Sequence, residues 1–498
     1  MGKENFFRKL ESNGIAVTYA DVRLKTGYSV IMPDDVDTRS RFSKNIPLKI
    51  PIVSAAMDTV TESTMAIALA KLGGLGIIHK NFSCENQAIE VAKVKFHLQG
   101  LIEKPITVRS TDTIKSILDR RIEKGYSFHT FPVVDNGKIV GLLTKNDFDF
   151  CDDYSLTASQ VMTKELITMP YNTSADDAYA ILKKEKKKVL PLVDNNYILR
   201  GMYLFSDLAR AKSERYDVYN LDAKGRLIVG AAIGVGESAI ERVKFLVDKE
   251  VDVVVIDTAH GDSLPVFETL KKIKSIYPKL DIVVGNVSEP ESVKRLIEAG
   301  ADGIKIGQGP GAICTTRIIA GIGCPQVTAV YNASRETNGV PICADGGLQY
   351  SGDIPIAIGA GADSVMIGSM LAGTKESPGD IVFMDGKQWK NYRGMGSIGA
   401  MESAAGSRER YNQRLTGKKE LIPEGIEGLV PYKGEIKDVL FQYVGGLKRG
   451  MGYVGAANIK ELQTKADFWM PTSAGIKESH PHDVLIIKES PNYQQKPD

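Results

Sequence analysis

The sequence predicts an α/β protein built around a closed barrel of eight parallel strands. Three observations support this prediction. Short apolar, β-branched segments recur eight times along the 498-residue chain, amphipathic segments lie between most of them, and polar or glycine residues follow the strands directly. Continuous apolar strands are typical of parallel sheets that are covered on both faces. The series therefore favours a (β/α)8 TIM barrel, with a doubly wound open sheet as the alternative.

The eight predicted strands are residues 51–54, 76–79, 228–231, 253–257, 281–285, 303–306, 341–344 and 364–367. Segments 241–249 and 289–299 illustrate the helices between them, and the second begins with the capped-start pattern Ser288-Glu289-Pro290-Glu291. The polar and glycine residues just after the strands are Ser54, His79, Asp257, Asn286, Gly307, Asp345 and Gly368. In a barrel these residues meet on the face that carries the chemistry.

Composition limits the class of protein. A chain of 498 residues favours two domains, and 43% hydrophobic residues, 25% charged residues and 48 glycines are typical of a soluble α/β enzyme. A net charge of +2 gives no electrostatic reason to expect nucleic acid or a membrane as a partner. The chain start lacks an apolar signal core, and no run reaches membrane-spanning length. Five irregularly spaced cysteines argue against a disulfide framework, so we expect a reducing, cytoplasmic location.

The strand series is interrupted after the second strand by a segment that repeats itself. Residues 131–135 return at 190–194, and residues 141–148 return at 201–208, about 60 residues later. Each copy is therefore expected to be one folding unit that pairs with the other. The pattern resembles a tandem pair of CBS modules (a Bateman domain), which bind adenine nucleotides between their copies; a spacer or oligomer contact is the alternative. We predict a catalytic barrel at 1–99 and 214–498 and a CBS regulatory domain at 100–213.

A glycine-rich loop follows the strand 303–306. It contains Gly307, Gly309 and Gly311 and continues to Cys314 and Thr316. Glycine permits positive φ and a close approach of the backbone to a ligand. A cysteine on such a loop at a strand end is placed to be a nucleophile. The alternative is a turn whose cysteine packs as a small hydrophobic residue.

A long glycine-rich segment at about 387–433 follows the eighth strand and is predicted to be an irregular flap over the site. A helical pattern returns at 435–466 and would close the barrel. The polar tail at 477–483 is expected to be a disordered end or a subunit contact.

Together these segments resemble the IMP dehydrogenases of the IMP dehydrogenase / GMP reductase family along essentially the whole chain. The matching segments are residues 53–59, 307–316, 344–347, 366–369, 392–396 and 423–428, with Arg410-Tyr411. The resemblance implies oxidation of inosine 5′-monophosphate (IMP) at purine C2 by NAD, which gives xanthosine 5′-monophosphate, the rate-controlling step of guanine nucleotide synthesis. Cys314 would add to C2, and Thr316 would hydrogen-bond the substrate or the hydrolytic water.

By the same resemblance, Arg410 is the base for hydrolysis of the covalent adduct, and Tyr411 places the water. The substrate residues are Met57, Asp345, Gly346, Gly347, Gly368, Ser369, Tyr392, Arg393, Gly394, Met395, Gly396 and Glu424. NAD would be held by Asp257, Asn286, Gly307, Gln308 and Gly309. Potassium would be bound by carbonyl groups of Gly309, Gly311 and Cys314, and by those of Glu478, Ser479 and His480 from a neighbouring subunit. This arrangement implies a homotetramer, with an octamer as the alternative.

The sequence departs from the family pattern at two places. Ala312 stands where the family has a serine that contacts the phosphate, a charge-assisted hydrogen bond worth about 1.5–3 kcal/mol. The segment between Tyr411 and Glu424 is slightly longer than is typical.

GMP reductase, which runs a reductive deamination with NADPH, is the alternative enzyme, although its usual members lack the flap with Arg410-Tyr411. A catalytically inactive nucleotide-sensing protein is the alternative from another class, but it would be expected to have lost Cys314, Asp345 or Asp257.

Overall fold

Eight parallel strands form a closed barrel in the computed structural model, which describes residues 2–103, 105–123, 126, 128–213, 216–403, 421–487 and 490–493. The strands β1–β8, in chain order, are Ile52–Ser54, Leu75–Ile78, Gly230–Ile233, Val253–Asp257, Asp281–Val287, Gly303–Ile306, Ile342–Asp345 and Ser364–Ile367. They pair in the order β3-β4-β5-β6-β7-β8-β1-β2, and β2 closes the ring against β3. The predicted barrel is confirmed, and the open sheet is excluded.

Helices follow the strands and cover the barrel. They are Ser63–Lys71, Cys84–Lys95, Glu237–Asp248, Leu264–Ile276, Pro290–Glu298, Gln326–Ser334 and Asp353–Ala360. The helix predicted at 289–299 begins at Pro290, where a missing N–H costs nothing in the first turn. Its hydrophobic residues Val293 and Leu296 are fully buried against the barrel. Side chains from most of the barrel strands pack into one hydrophobic core cluster, among them Val53, Ile77 and Val255.

A buried ion cluster at the amino end of the barrel joins two segments of the chain, one before and one after the inserted residues. Lys95, the last residue of its helix, is fully buried and lies 2.8 Å from carboxylate oxygens of both Asp222 and Asp252. A buried ammonium is stable only when opposite charges replace its water. The cluster therefore fixes the segments that precede and follow the inserted residues to the base of the barrel.

The chain divides into two compact units: Met1–Lys95 with Tyr216–Asp498, and Phe96–Arg215. The second unit contains the helices Ile114–Glu123, Lys145–Asp149, Ala158–Val161, Ala175–Lys184 and Phe205–Ser213. Its strands are Leu101–Ile102, Phe131–Asp135, Lys138–Leu143, Met169–Pro170, Val189–Val193 and Leu199–Leu204.

The sequence repeat corresponds to a repeated hairpin in the second unit. Phe131–Asp135 pairs antiparallel with Lys138–Leu143, and Val189–Val193 pairs in the same way with Leu199–Leu204. Both hairpins shift register near the end of their first strand, and each copy contributes to its own hydrophobic cluster. Each copy therefore builds the same local structure. The assignment of these copies to CBS modules stays a prediction.

The segment predicted as an irregular flap is more regular than expected. Ile381–Met384, Lys387–Arg393 and Glu427–Pro431 form a three-stranded antiparallel sheet, and Ile398–Ser403 is a helix. The polar composition of Lys387–Arg393 predicted a loop, but its ladder of hydrogen bonds to both neighbours made it a strand. Arg410 and Tyr411 lie outside the described residues.

Further helices span Lys3–Ser12, Thr316–Ile319, Ser369–Ala372, Ile436–Val454, Ile459–Lys465 and Ser473–Glu478. The fourth and fifth of these confirm the helical pattern at 435–466, and the last shows that the polar tail begins in ordered structure. In the described ranges, no helix combines the length and the apolar character that crossing a bilayer requires.

Candidate active site

A cavity of about 120 Å³ opens at the carboxyl end of the barrel strands. It brings together residues of β4, β5, β6, β7 and β8, residues that follow β1, and residues of the segment after β8. Of the predicted site residues, it is lined by Met57, Asp257, Asn286, Gly307, Gln308, Gly309, Gly311, Cys314, Thr316, Asp345, Gly346, Tyr392, Gly394, Met395 and Glu424. Residues predicted to bind the nucleotide, residues predicted to bind the dinucleotide and the predicted nucleophile therefore line one cavity.

The loop that carries Cys314 is folded tightly against the strand ends. Gly307 has φ of +140°, and a Cβ atom there would lie only 2.4 Å from the carbonyl oxygen of Asp345. Only glycine fits this position without displacing the backbone. Farther along, the Arg317 guanidinium donates to the carbonyl groups of Gln308 and Cys324, at 3.1 and 2.6 Å. These contacts fix both ends of the loop.

Cys314 begins a short chain of polar contacts. Its Sγ lies 3.2 Å from Oγ1 of Thr316, and that hydroxyl donates to Oε2 of Glu424 at 2.7 Å. Because the threonine proton is committed to the carboxylate, the threonine oxygen can accept from the thiol. The backbone N–H of Glu424 donates to the carbonyl of Gly396 at 3.0 Å, which holds the carboxylate in place. The arrangement gives the thiol proton a route away from the sulfur.

Two other cysteines near the barrel are poorly suited to nucleophilic chemistry. Burial raises the pKa of the Cys324 thiol to about 11 and that of the fully buried Cys343 thiol to about 12. The nucleophile in thiol chemistry is the thiolate, so both groups are inert near neutral pH.

A buried lysine joins two of the predicted carboxylates, and sequence reasoning missed it. The ammonium of Lys305, which is 2% exposed, lies 2.9 Å from Oδ1 of Asp257 and 2.6 Å from Oδ2 of Asp345. The signal was present, because Lys305 is the one charged residue in the apolar strand β6. A charge in a buried strand requires opposite charges nearby.

Asn286 ties this ion cluster to the glycine loop and leaves one acceptor unused. Its Nδ2 donates to the carbonyl of Gly307 at 2.6 Å and to Oδ2 of Asp345 at 2.9 Å. Its Oδ1 is buried and, among the described residues, has no hydrogen-bond partner. Buried polar atoms are rarely left unpaired, so this oxygen in the cavity wall is suited to accept from a bound group.

Of the residues predicted to bind phosphate, Tyr392 lines the first cavity, and Gly347 and Ser369 line a second one. This cavity has a volume of about 610 Å³, and its lining includes Ala312, Gly347 and Ser369. Gly368 packs against Tyr392, since a Cβ atom there would lie 2.9 Å from the phenol oxygen. Burial raises the pKa of the Tyr392 phenol, which therefore stays a neutral donor near neutral pH.

The remaining predicted residues lie outside the lining of these two cavities. The Arg393 guanidinium is directed at Asp58, with Nη2 2.7 Å from Oδ2, so the structure places it in an ion pair. Gly396 contributes its carbonyl to Glu424, as described above. Glu478 ends its helix, and Ser479 and His480 follow it. Within the described ranges, no group of three or more His, Cys, Asp and Glu side chains is arranged to hold a metal ion.

Comparison of the chain with known proteins identifies a family. The model of the IMP dehydrogenase / GMP reductase domain matches residues 16–482. The inosine-5′-monophosphate dehydrogenase of Aquifex aeolicus is 51% identical over 484 residues, which cover 96% of this chain and 97% of that protein. The corresponding enzyme of Bacillus subtilis is 48% identical over 484 residues, with the same coverage of both chains.

A solved structure is similar over the whole fold. It is a GMP reductase from Trypanosoma brucei in complex with guanosine 5′-monophosphate, with a TM-score of 0.79 and 38% identity. The match covers 95% of this chain and 100% of that chain. The domain match and the full-length relatives establish that this chain belongs to the IMP dehydrogenase / GMP reductase family.

Proposed function

We infer that this chain is an NAD-dependent oxidoreductase that converts IMP into xanthosine 5′-monophosphate. The observation that supports this most directly is the cavity at the carboxyl end of the barrel, where Cys314 contacts Thr316 and lies beside the Asp257–Lys305–Asp345 cluster. The relatives named IMP dehydrogenase are 45–51% identical over nearly the whole chain. The GMP reductase is less similar, at 38%.

The reaction begins at Cys314. The sulfur forms a bond to purine C2 of IMP while its proton leaves through the Thr316 hydroxyl toward Glu424. NAD, when bound, would be the oxidant, because its nicotinamide can accept the hydride that C2 loses. The product of that step is a thioimidate, in which C2 is still bonded to sulfur. Water then adds to C2 and the sulfur leaves, which regenerates Cys314 and releases xanthosine 5′-monophosphate.

NAD would be held on the side of the cavity formed by β4 and β5. The Asp257 carboxylate suits the two hydroxyls of a ribose, and the unpaired Oδ1 of Asn286 suits a further donor. Gly307, Gln308 and Gly309 would lie against the nicotinamide. The buried acceptor on Asn286 is the feature of this structure that fits a hydroxyl-bearing ligand.

IMP would lie on the opposite side, above β7 and β8. Asp345 would accept from the ribose hydroxyls, and Met57, Gly394, Met395, Gly396 and Glu424 would border the purine. The phosphate would meet backbone amides of Gly346, Gly347, Gly368 and Ser369 and the phenol of Tyr392. Several converging donors are what a phosphate dianion requires in a site that excludes water. Arg393 would support this region through its ion pair with Asp58.

Hydrolysis of the thioimidate requires a base, and Arg410 with Tyr411 is the proposed pair. An unperturbed arginine keeps its proton far above neutral pH. Arg410 would therefore act only when a closed flap removes it from water, since desolvation disfavours the charged form. Tyr411 would hydrogen-bond and place the same water.

Potassium and oligomerisation are proposed together. The carbonyl oxygens of Gly309, Gly311 and Cys314 would hold the ion, and hard oxygen ligands suit such a cation. Glu478, Ser479 and His480 of a neighbouring subunit would complete the set in a homotetramer, with an octamer as the alternative. The Gly311 carbonyl already accepts from the Cys314 N–H at 3.1 Å, so an ion there would stabilise the nucleophile loop.

The second unit is proposed to be a CBS regulatory domain, in a protein of the cytoplasm. A cavity of about 550 Å³ in this unit is lined by Lys164, Lys187 and Tyr197, among others. Two ammonium groups and an aromatic ring suit the phosphates and the base of an adenine or guanine nucleotide.

The first prediction separates the two enzymes of the family. Purified protein mixed with IMP and NAD should produce NADH, followed as a rise in absorbance of the reduced cofactor. The same protein mixed with GMP and NADPH should leave that absorbance unchanged. A fall in the second mixture with no rise in the first would assign the chain to the GMP reductases, and no change in either would favour an inactive sensor.

The second prediction concerns the nucleophile. Cys314→Ser should abolish turnover while IMP binding, measured by calorimetry, stays within about threefold, because the hydroxyl oxygen is a far weaker nucleophile than a thiolate. Cys324→Ala is the matched control and should keep most activity, since its thiol is protonated at neutral pH. Normal turnover by Cys314→Ser would contradict the covalent mechanism.

The third prediction concerns Lys305. Lys305→Met should lower kcat/KM for both IMP and NAD by at least about 100-fold, or about 2.7 kcal/mol, because Asp257 and Asp345 would lose the ammonium that positions them. Lys274→Met is the control, because it breaks a partly buried ion pair with Asp302 away from the cavity. It should lower thermal stability and leave kcat/KM near that of the wild type. If Lys305→Met folds and keeps its kcat/KM, the ion cluster has no part in substrate binding.

A further inference from the structure

Lys433 lies in the turn between the strand Glu427–Pro431 and the helix Ile436–Val454. Its backbone N–H donates to the carbonyl of Gly373 at 2.8 Å, which anchors the turn beneath the phosphate side of the site. Its ammonium lies 3.3 Å from the carbonyl of Met370 and 3.4 Å from the hydroxyl of Tyr443. The side chain is therefore held in one place, pointing back toward the short helix Ser369–Ala372 that follows β8.

The charge on this side chain is not balanced locally. Within the described part of the chain, no carboxylate forms an ion pair with Lys433; its two polar contacts are to neutral oxygens. Burial alone lowers the pKa of its ammonium to about 8. Two other inward-facing lysines, Lys95 and Lys305, each contact two carboxylates. In that part of the chain, Lys433 is therefore a partly desolvated cation without a carboxylate partner.

The same cation borders the space predicted to receive the phosphate. Lys433 and Tyr443 line the cavity of about 610 Å³ together with Ala312, Gly347 and Ser369. Gly347 and Ser369 supply amides but no full charge, and Ala312 cannot supply the hydroxyl that the family pattern places there. A phosphate dianion in this cavity would gain from a full positive charge in a medium of low polarity.

We propose that Lys433 is the residue that selects the phosphorylated form of the substrate, by providing the positive charge for the 5′-phosphate. This inference rests on the proposed function, because the ligand is the nucleotide of that site. Lys433 acts at a distance through its charge and is not a catalytic residue. Its ammonium gains a counter-ion when the nucleotide binds, and a nucleoside without phosphate offers none.

The test compares IMP with inosine, the same molecule without the phosphate. Dissociation constants for both are measured by calorimetry, with inosine at millimolar concentration in competition with IMP, for the wild type and two variants. Lys433→Met should weaken IMP binding at least tenfold, equivalent to about 1.4 kcal/mol, and leave inosine binding unchanged. Lys433→Arg keeps the charge and should recover most of the preference for IMP.

Lys375→Met is the matched control. Lys375 contacts the same turn, since its N–H donates to the carbonyl of Gly434 at 2.8 Å, but its ammonium is exposed and pairs with Glu435. Its removal should leave the IMP-to-inosine ratio unchanged. A structural role of Lys433 would change both affinities alike or lower only thermal stability, and an unchanged ratio in Lys433→Met would overturn the inference. A wild-type protein that binds no IMP would contradict the proposed function itself.

Discussion

The arrangement of the site depends on one buried ammonium. Lys305 projects from β6 between Asp257 of β4 and Asp345 of β7, and it contacts a carboxylate oxygen of each at 2.9 and 2.6 Å. Without it, two carboxylates in a buried cavity would repel each other. The ammonium holds both carboxylates in place, where their oxygens can accept hydrogen bonds. The two carboxylates that we propose bind sugar hydroxyls therefore share one counter-ion, and Cys314 lines the same cavity.

The barrel supplies the geometry that this interaction requires. The carboxyl ends of the parallel strands all lie at one face of the barrel. Residues far apart in the chain, such as Asp257 and Glu424, therefore line the same cavity. The glycine loop brings Cys314, the proposed nucleophile, over that face, and Glu424 from the segment after β8 contacts Thr316. The three charged residues of the cluster lie in barrel strands, whereas Cys314 and Glu424 lie in connecting segments.

Much of the fold and part of the candidate site could be predicted from the sequence, because the patterns that indicate them lie within short segments of the chain. Short apolar, β-branched segments predicted all eight barrel strands. The glycine-rich pattern after the sixth strand indicated Cys314 as the candidate nucleophile. Lys305 was missed because its partners are 48 and 40 residues away in the chain, and only barrel closure shows that they meet. The strand Lys387–Arg393 was missed because its polar composition resembles a loop, while its stability comes from pairing on both sides. Lys433, to which we assign the charge for the phosphate, gave no local signal, because its lack of a carboxylate partner among the described residues is visible only in the fold.

The covalent intermediate on Cys314 tests the account most directly. Protein quenched in acid during turnover with IMP and NAD should carry the nucleotide on one cysteine, measured as an increase in intact mass and located by peptide mass spectrometry. The account predicts that the modified peptide contains Cys314 and that modification requires both substrates. A nucleotide on another cysteine, or steady NADH production with no modified peptide in a rapid quench, would contradict it.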